Sequence, residues 1–242
     1  MSTHAAIAAH TSRTVPGYLA SVIAMPSAAG VLPSTPPRTS ADPLATLGHS
    51  KVLDRGTTVF TEGDAAGAVF RVHSGVIRLH KMLPDGRRQI IGFLHTGDMM
   101  GLAFADQYLY TAEAVTATTV QRISRAELEA VMDAQPGFAR KLLSATTSEL
   151  MAAQDQMLLL GRKTASEKLA SFLLRLSART TAGRIVDLPM SRCDIADYLG
   201  LTTETVSRTV TKFKSARLIR ILVDGKLELL DHDALTDLAG GF

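Results

Sequence analysis

Residues 191–213, SRCDIADYLGLTTETVSRTVTKF, constrain this chain more than any other stretch, because they read as two short helices joined by a tight turn. Ser191 can cap the first helix by accepting a hydrogen bond from an otherwise unpaired backbone N–H. Ile195, Ala196 and Leu199 then share one face, and Ala196 is small enough to let a second helix cross closely. Gly200 stands where the turn needs a positive φ. Thr202 caps a second helix that buries Val206, Val210 and Phe213 and exposes Thr203, Glu204, Ser207 and Arg208. A helix-turn-helix of this kind lays its second helix in the DNA major groove, with N-terminal side chains against base edges. The bland alternative is a helical hairpin with a purely structural role. Caps, turn, small residue and polar face all agree on DNA binding.

Charge falls in register with the motif. The 242 residues carry a net +3, yet residues 161–220 hold twelve Lys and Arg against five Asp and Glu, +7, which leaves −4 for the remainder. A basic segment over a helix-turn-helix suits phosphate contacts with counterion release, although a basic face alone is more often just solvated. The length allows two domains with separate cores, and no apolar run is long enough to span a bilayer. Residues 1–41 lack Asp and Glu and are rich in Ala, Ser, Thr and Pro, which reads as a disordered tail ending near Pro36 and Pro37. Arg13 and Arg38 in that acid-free start faintly resemble a transit peptide, but a secretory signal would need a longer apolar run. A cytoplasmic location is expected. Cys193 is the single cysteine, which excludes an internal disulfide, Cys-ligated zinc and thiolate-held clusters. It sits in the first turn of the first motif helix beside Arg192, where helix dipole and guanidinium favour thiolate, so it is a redox candidate. A small half-buried residue with no redox role is the alternative.

Upstream, short β-branched or alternating runs at 57–60, 68–73, 75–81, 87–94 and 113–123 are punctuated by Glu62-Gly63-Asp64, Ser74-Gly75, Pro84-Asp85-Gly86 and Gly97-Asp98. That spacing predicts an all-β roll or sandwich of about eight strands. Ser124 caps a helix over 125–132, Gln135-Pro136-Gly137 breaks it, and a long helix follows over 138–160, ended by Gly161. Leu143, Leu150 and Met157 recur every seven residues, with Thr146, Ala153 and Leu160 three residues after each. This is an a/d seam for self-association, the alternative being a helix packed on its own domain. Thr164-x-x-Glu167 is a capping box opening a helix that buries Leu169, Phe172, Leu173 and Leu176. After the motif, residues 219–230 alternate around Asp224-Gly225, a two-residue hairpin turn, which makes the motif a winged one. Asp231-His232-Asp233 then starts a short terminal helix.

The order of β-roll, long helix and winged helix-turn-helix resembles the Crp–Fnr family of bacterial transcription regulators over residues 44–242. Two segments carry the likeness to the Fnr branch: Leu160-Gly161-Arg162-Lys163-Thr164-Ala165-Ser166-Glu167-Lys168-Leu169-Ala170, and Glu204-x-x-Ser207-Arg208, where the Crp branch has Gly at the Ser position. The resemblance implies an α+β protein in four parts. Residues 1–41 form the tail, 42–136 a cyclic-nucleotide-binding-like β-roll (jelly roll), 137–160 a dimerisation helix and 161–242 a winged helix-turn-helix domain. It also implies a homodimer that binds double-stranded DNA near promoters and contacts RNA polymerase, with no membrane involved. Glu204, Ser207 and Arg208 would contact bases, while Ser191, Arg192, Thr203 and Lys212 would meet the DNA backbone.

Departures from the family narrow the reading. Cyclic-AMP-binding members offer a Glu just after the second Gly of Gly97-Asp98-x-x-Gly101 and an Arg in an Arg-Ser-Ala run; here those places hold Leu102 and Tyr110. A cyclic phosphate buried without a cation would cost several kcal/mol, so the roll is read as a scaffold that takes no cyclic nucleotide. The tail lacks the cysteines of iron–sulfur members. His73, His80 and His95 are the candidates for haem or metal, and isolated strand histidines are more often exposed or satisfied in a core. What remains looks like FixK-type members, without a recognised cofactor. The leading expectation is a dimeric activator that recognises a TTGA…TCAA palindrome without cyclic AMP. A rival within the class is a sensor with a different small molecule in the roll, for which Arg78, Arg87 and Arg88 are candidate cations. An enzyme is the rival from another class, but no phosphate-cradling glycine loop, nucleophile elbow or paired metal histidines support it.

Overall fold

A computed structural model describes residues 42–102, 106–180 and 183–240. The expected tail over 1–41 lies outside the described residues. Eight strands build the N-terminal roll: β1 (His49–Leu53), β2 (Thr58–Phe60), β3 (Ala68–Ser74), β4 (Ile77–Met82), β5 (Arg88–Leu94), β6 (Met99–Met100), β7 (Thr111–Ala114) and β8 (Thr118–Ser124). They form two antiparallel four-stranded sheets, ordered β1-β8-β3-β6 and β2-β7-β4-β5. Inward side chains of both sheets, among them Phe60, Phe70, Val72, Ile77 and Leu79, make one core, joined by Tyr108 from the segment before β7. The run expected at 113–123 is in fact two strands, β7 and β8, in different sheets. The chain crosses between the sheets at 115–117, beside Gly75, where an added Cβ would lie 2.4 Å from the Thr118 hydroxyl and 2.6 Å from the Ala117 carbonyl. β1 and β6 are not anticipated by any alternation: four of the five β1 residues are exposed, and β6 is two residues long.

Helix α1 (Arg125–Ala134) opens on a Ser124 capping box closed by Glu127. Its successor α2 (Pro136–Arg162) begins immediately, with Gln135 as the only residue between the two. Pro136 therefore starts the long helix rather than breaking the chain, because its fixed φ suits the first helical position. Gly161 does not end α2. The helix continues through Arg162, and extended Lys163 leads directly into the Thr164–Glu167 capping box of α3 (Ala165–Ser177). Along α2 only Leu159 is fully buried; Phe138 and Leu142 pack beside Leu44, Ile123 and Leu128, and the middle of the helix faces solvent.

The C-terminal domain adds β9 (Ile185–Asp187), α4 (Arg192–Leu199), α5 (Thr203–Ser215), β10 (Ile219–Ile221), β11 (Lys226–Leu229) and α6 (His232–Leu238), the last capped by Asp231. β9 was not foreseen; it is three residues long and completes a sheet ordered β10-β11-β9. The wing does not use a two-residue Asp-Gly turn. Leu222 N–H donates to the Lys226 carbonyl (2.9 Å), and residues Val223–Gly225 form a single 3₁₀ turn. A two-residue turn would pair Ile219 with Leu230, whereas the observed register pairs buried Ile219 with buried Leu229. Since a one-residue slip turns every side chain to the other face, core burial overrides local turn preference.

Candidate nucleic-acid interface

The helix-turn-helix is closed locally, as its sequence dictates. Ser191 N–H (3.0 Å) and Oγ (2.8 Å) both donate to Asp194 Oδ2, while Ser191 Oγ accepts from Asp194 N–H (3.0 Å), giving a capping box on α4. Gly200 ends α4 in the left-handed region (φ 60°), and a Cβ there would come within 3.3 Å of Leu160 Cδ2. Thr202 Oγ1 accepts from Thr205 N–H (3.1 Å) to start α5. Val206, Val210 and Phe213 are buried against Leu169, Phe172, Leu173, Ile195, Ala196 and Leu199 from α3 and α4. The opposite face of α5 presents Thr203, Glu204, Ser207, Arg208 and Lys212 to solvent. On that face Arg208 Nη2 pairs with Glu204 Oε1 at 2.9 Å, one helical turn apart, with both side chains about three-quarters exposed. Lys212 Nζ reaches Ser166 Oγ (3.5 Å).

Around this face Ser191, Arg192 and Cys193 are exposed at the start of α4. The Ser191 hydroxyl is engaged in the cap, and Arg192 beside it is exposed. Cys193 Sγ lies 4.0 Å from Asp197 Oδ2, one helical turn on.

Away from this face, the seam side chains Leu143, Leu150 and Met157 are 68 %, 60 % and 66 % exposed, and Thr146 and Ala153 are exposed with them. Leu160, by contrast, packs against the C-terminal core. Met151 and Leu158, which sequence reasoning passed over, widen the exposed apolar stripe. Their signal was present one residue after Leu150 and Met157, outside the a/d positions.

In the roll, Gly101 N–H donates to Tyr110 Oη (3.0 Å), and Tyr110 lies against Phe60. Leu102 packs beside the Leu44 cluster. A cavity of about 300 Å³ lies between the roll, α2 and α3, with Phe93, Leu94, Tyr110 and Phe172 in its walls. Two cations at its rim are engaged, Arg175 with Gln156 and Tyr198, and Arg179 with Asp98. The arginines considered for a ligand are engaged too: Arg87 with Asp85, Arg78 with Glu113 and Asp194, and Arg88 with Asp194 and Asp197. His73 is exposed, and burial holds His80 and His95 below their ordinary range. Among the described residues no group of three or more His, Cys, Asp or Glu is placed to hold a metal ion, and no helix is long and apolar enough to cross a membrane.

Residues 167–238 match the Crp-like helix-turn-helix domain and residues 50–135 the cyclic nucleotide-binding domain. The nitrogen fixation regulation protein FixK of Bradyrhizobium diazoefficiens is 44 % identical over 197 residues, covering 80 % of this chain and 83 % of the relative. The transcriptional activatory protein AadR of Rhodopseudomonas palustris is 43 % identical, covering 75 % and 77 %. The solved structure of FixK2 from Bradyrhizobium japonicum superposes with a TM-score of 0.76 at 38 % identity, covering 79 % of this chain and 97 % of that one.

Proposed function

This chain belongs to the Crp–Fnr family of transcription regulators, and on that premise we propose that it is a cytoplasmic homodimeric activator reading a TTGA…TCAA palindrome without cyclic AMP. One observation carries the reading: Glu204 and Arg208 stand exposed on the N-terminal half of a helix whose other side is wholly core. Arg208 offers two parallel donors to guanine O6 and N7, Glu204 accepts from cytosine N4, and Ser207 meets a thymine by hydroxyl or methylene. Arg192, Thr203 and Lys212 flank them toward the phosphates, and Ser191 contributes by fixing the start of α4. The two half-sites are centred about one helical turn apart, matched by the two-fold axis of a dimer formed along Leu143, Leu150 and Met157. Exposure of that stripe supports the dimer. Tyr110 and Leu102, where an Arg and a Glu would bind a cyclic phosphate, support independence from cyclic AMP. RNA polymerase is the partner through which an activator of this family acts.

Arg208→Ala tests the base assignment. Binding to the palindrome should weaken by about 1–3 kcal/mol, and discrimination at the guanine should relax. Unchanged discrimination at that base pair refutes the assignment.

A further inference from the structure

Helix α4 is held from two sides. Within its own domain it carries the capping box and crosses α5 through the Gly200 turn. From the β-roll, more than a hundred residues earlier in the chain, it meets a cluster of charged and polar side chains. Asp194 Oδ1 accepts from Arg78 Nη1 (2.9 Å) and Arg88 Nη2 (2.7 Å), while its Oδ2 remains in the cap with Ser191. Arg88 also pairs with Asp197 Oδ2 through Nε (2.9 Å) and Nη2 (2.8 Å), and Gln89 Nε2 donates to the Asp197 carbonyl (2.7 Å). Glu113 Oε1 fixes Arg78 on its own sheet (2.6 Å). Behind the charges, Phe93 of β5 lies 5.4 Å from Tyr198 of α4 and 6.3 Å from Phe172 of α3, ring centre to ring centre.

The Asp194 side chain is only 3 % exposed, with Arg78 and Arg88 17 % and 22 % exposed, so the contact is largely desolvated. The covalent connection from roll to DNA-binding domain runs along α1 and α2 and passes through Lys163, a single extended residue between α2 and α3. We propose that Arg78 and Arg88 are positioning residues for DNA binding: they clamp α4 to the roll and thereby set the attitude at which α5 meets the groove. The clamp supplies from within the chain the orientation that a regulator needs before two recognition helices can enter successive major grooves together. It leaves the exposed face of α5 uncovered. The proposal rests on α5 being the reading helix.

The test is a double-mutant cycle in the full-length protein, read by fluorescence anisotropy on a TTGA…TCAA duplex. Asp197 is the partner of choice because Asp194 also caps α4. Arg88→Ala and Asp197→Ala should each lower affinity about tenfold, that is about 1.4 kcal/mol. The double variant should lose no more than Arg88→Ala alone, because Asp197 acts through Arg88, which also holds Asp194. Amide exchange in the DNA-free protein should show faster exchange in β5 and α4 for all three variants, with α3 and α5 protected as in the wild type. Additive losses near a hundredfold, unchanged affinity, or higher affinity each overturn the clamp. If the wild type fails to bind the duplex, the half-site assignment falls, and the exchange pattern alone judges the clamp: unaltered protection in β5 and α4 overturns it.

Discussion

Leu150→Glu should dissociate the dimer while leaving the protomer folded. The 27-residue α2 is about 40 Å long, and Leu150 sits near its middle, 60 % exposed. Burying a whole Leu side chain stabilises by about 1.5–3 kcal/mol, so covering the exposed part of this one is worth about 1–2 kcal/mol. Two-fold symmetry doubles the figure to about 2–4 kcal/mol, and the substitution adds two carboxylates facing each other across the seam. The dimer constant should therefore weaken by at least about thirtyfold, since each 1.4 kcal/mol is a factor of ten. The protomer should be unaffected, because the position touches solvent there. Sedimentation equilibrium across a concentration series reads the constant, and the thermal midpoint of the monomeric fraction reads the fold. A variant that stays dimeric at wild-type strength shows that α2 does not pair through this stripe. Loss of the protomer fold would show that Leu150 is core within a protomer.

Acid should destabilise the fold in a definable window. Burial, then Arg88, holds His80 below its ordinary 6.5, against Glu113 and Asp194, which pull the other way, and Arg78, which adds to the depression. His95 is held down likewise, by burial and then Arg179, against Asp98. As pH falls below about 6.5 the unfolded chain takes up protons that these buried rings refuse, so stability declines until the folded state protonates as well. The thermal midpoint of His80→Gln should fall less between pH 7 and 5.5 than that of the wild type; equal slopes contradict the assignment. Depressed carboxylates such as Asp194, where burial is outweighed by Ser191, Arg78 and Arg88, contribute only at lower pH, as it falls below 3.8. Peroxide should weaken DNA binding by the wild type and spare Cys193→Ser. A sulfinate at about 5 Å from a phosphate, at an effective dielectric of 20, is repelled by about 3–4 kcal/mol. Equal loss in both proteins, or none, removes Cys193 as a switch.

The helix-turn-helix was legible because its determinants are local: Ser191, Gly200 and Thr202 each act on the backbone within four residues. The roll was legible as alternation and turns, but β1 and β9 were not, since their stability comes from pairing with β8 and β11 rather than from a hydrophobic pattern. The wing turn failed as a local reading because Ile219 and Leu229 set the register from the core side. Arg78 and Arg88 drew notice only as possible ligand cations. Their partners Asp194 and Asp197 lie 106–116 residues away, and neither spacing nor periodicity connects them. Leu102 and Tyr110 were informative for a different reason: substitution at a known site is visible residue by residue, and here it coincides with a hydroxyl that accepts the Gly101 N–H.

Sequence-specific binding without cyclic nucleotide is most directly tested by titrating the purified full-length protein, free of cyclic AMP, against a TTGA…TCAA duplex and a scrambled duplex at the same physiological salt. Preference for the palindrome should be at least about a thousandfold, the lower end for specific regulators, and unchanged by millimolar cyclic AMP. Equal affinity for the two duplexes, or preference that emerges only when cyclic AMP is added, would contradict it.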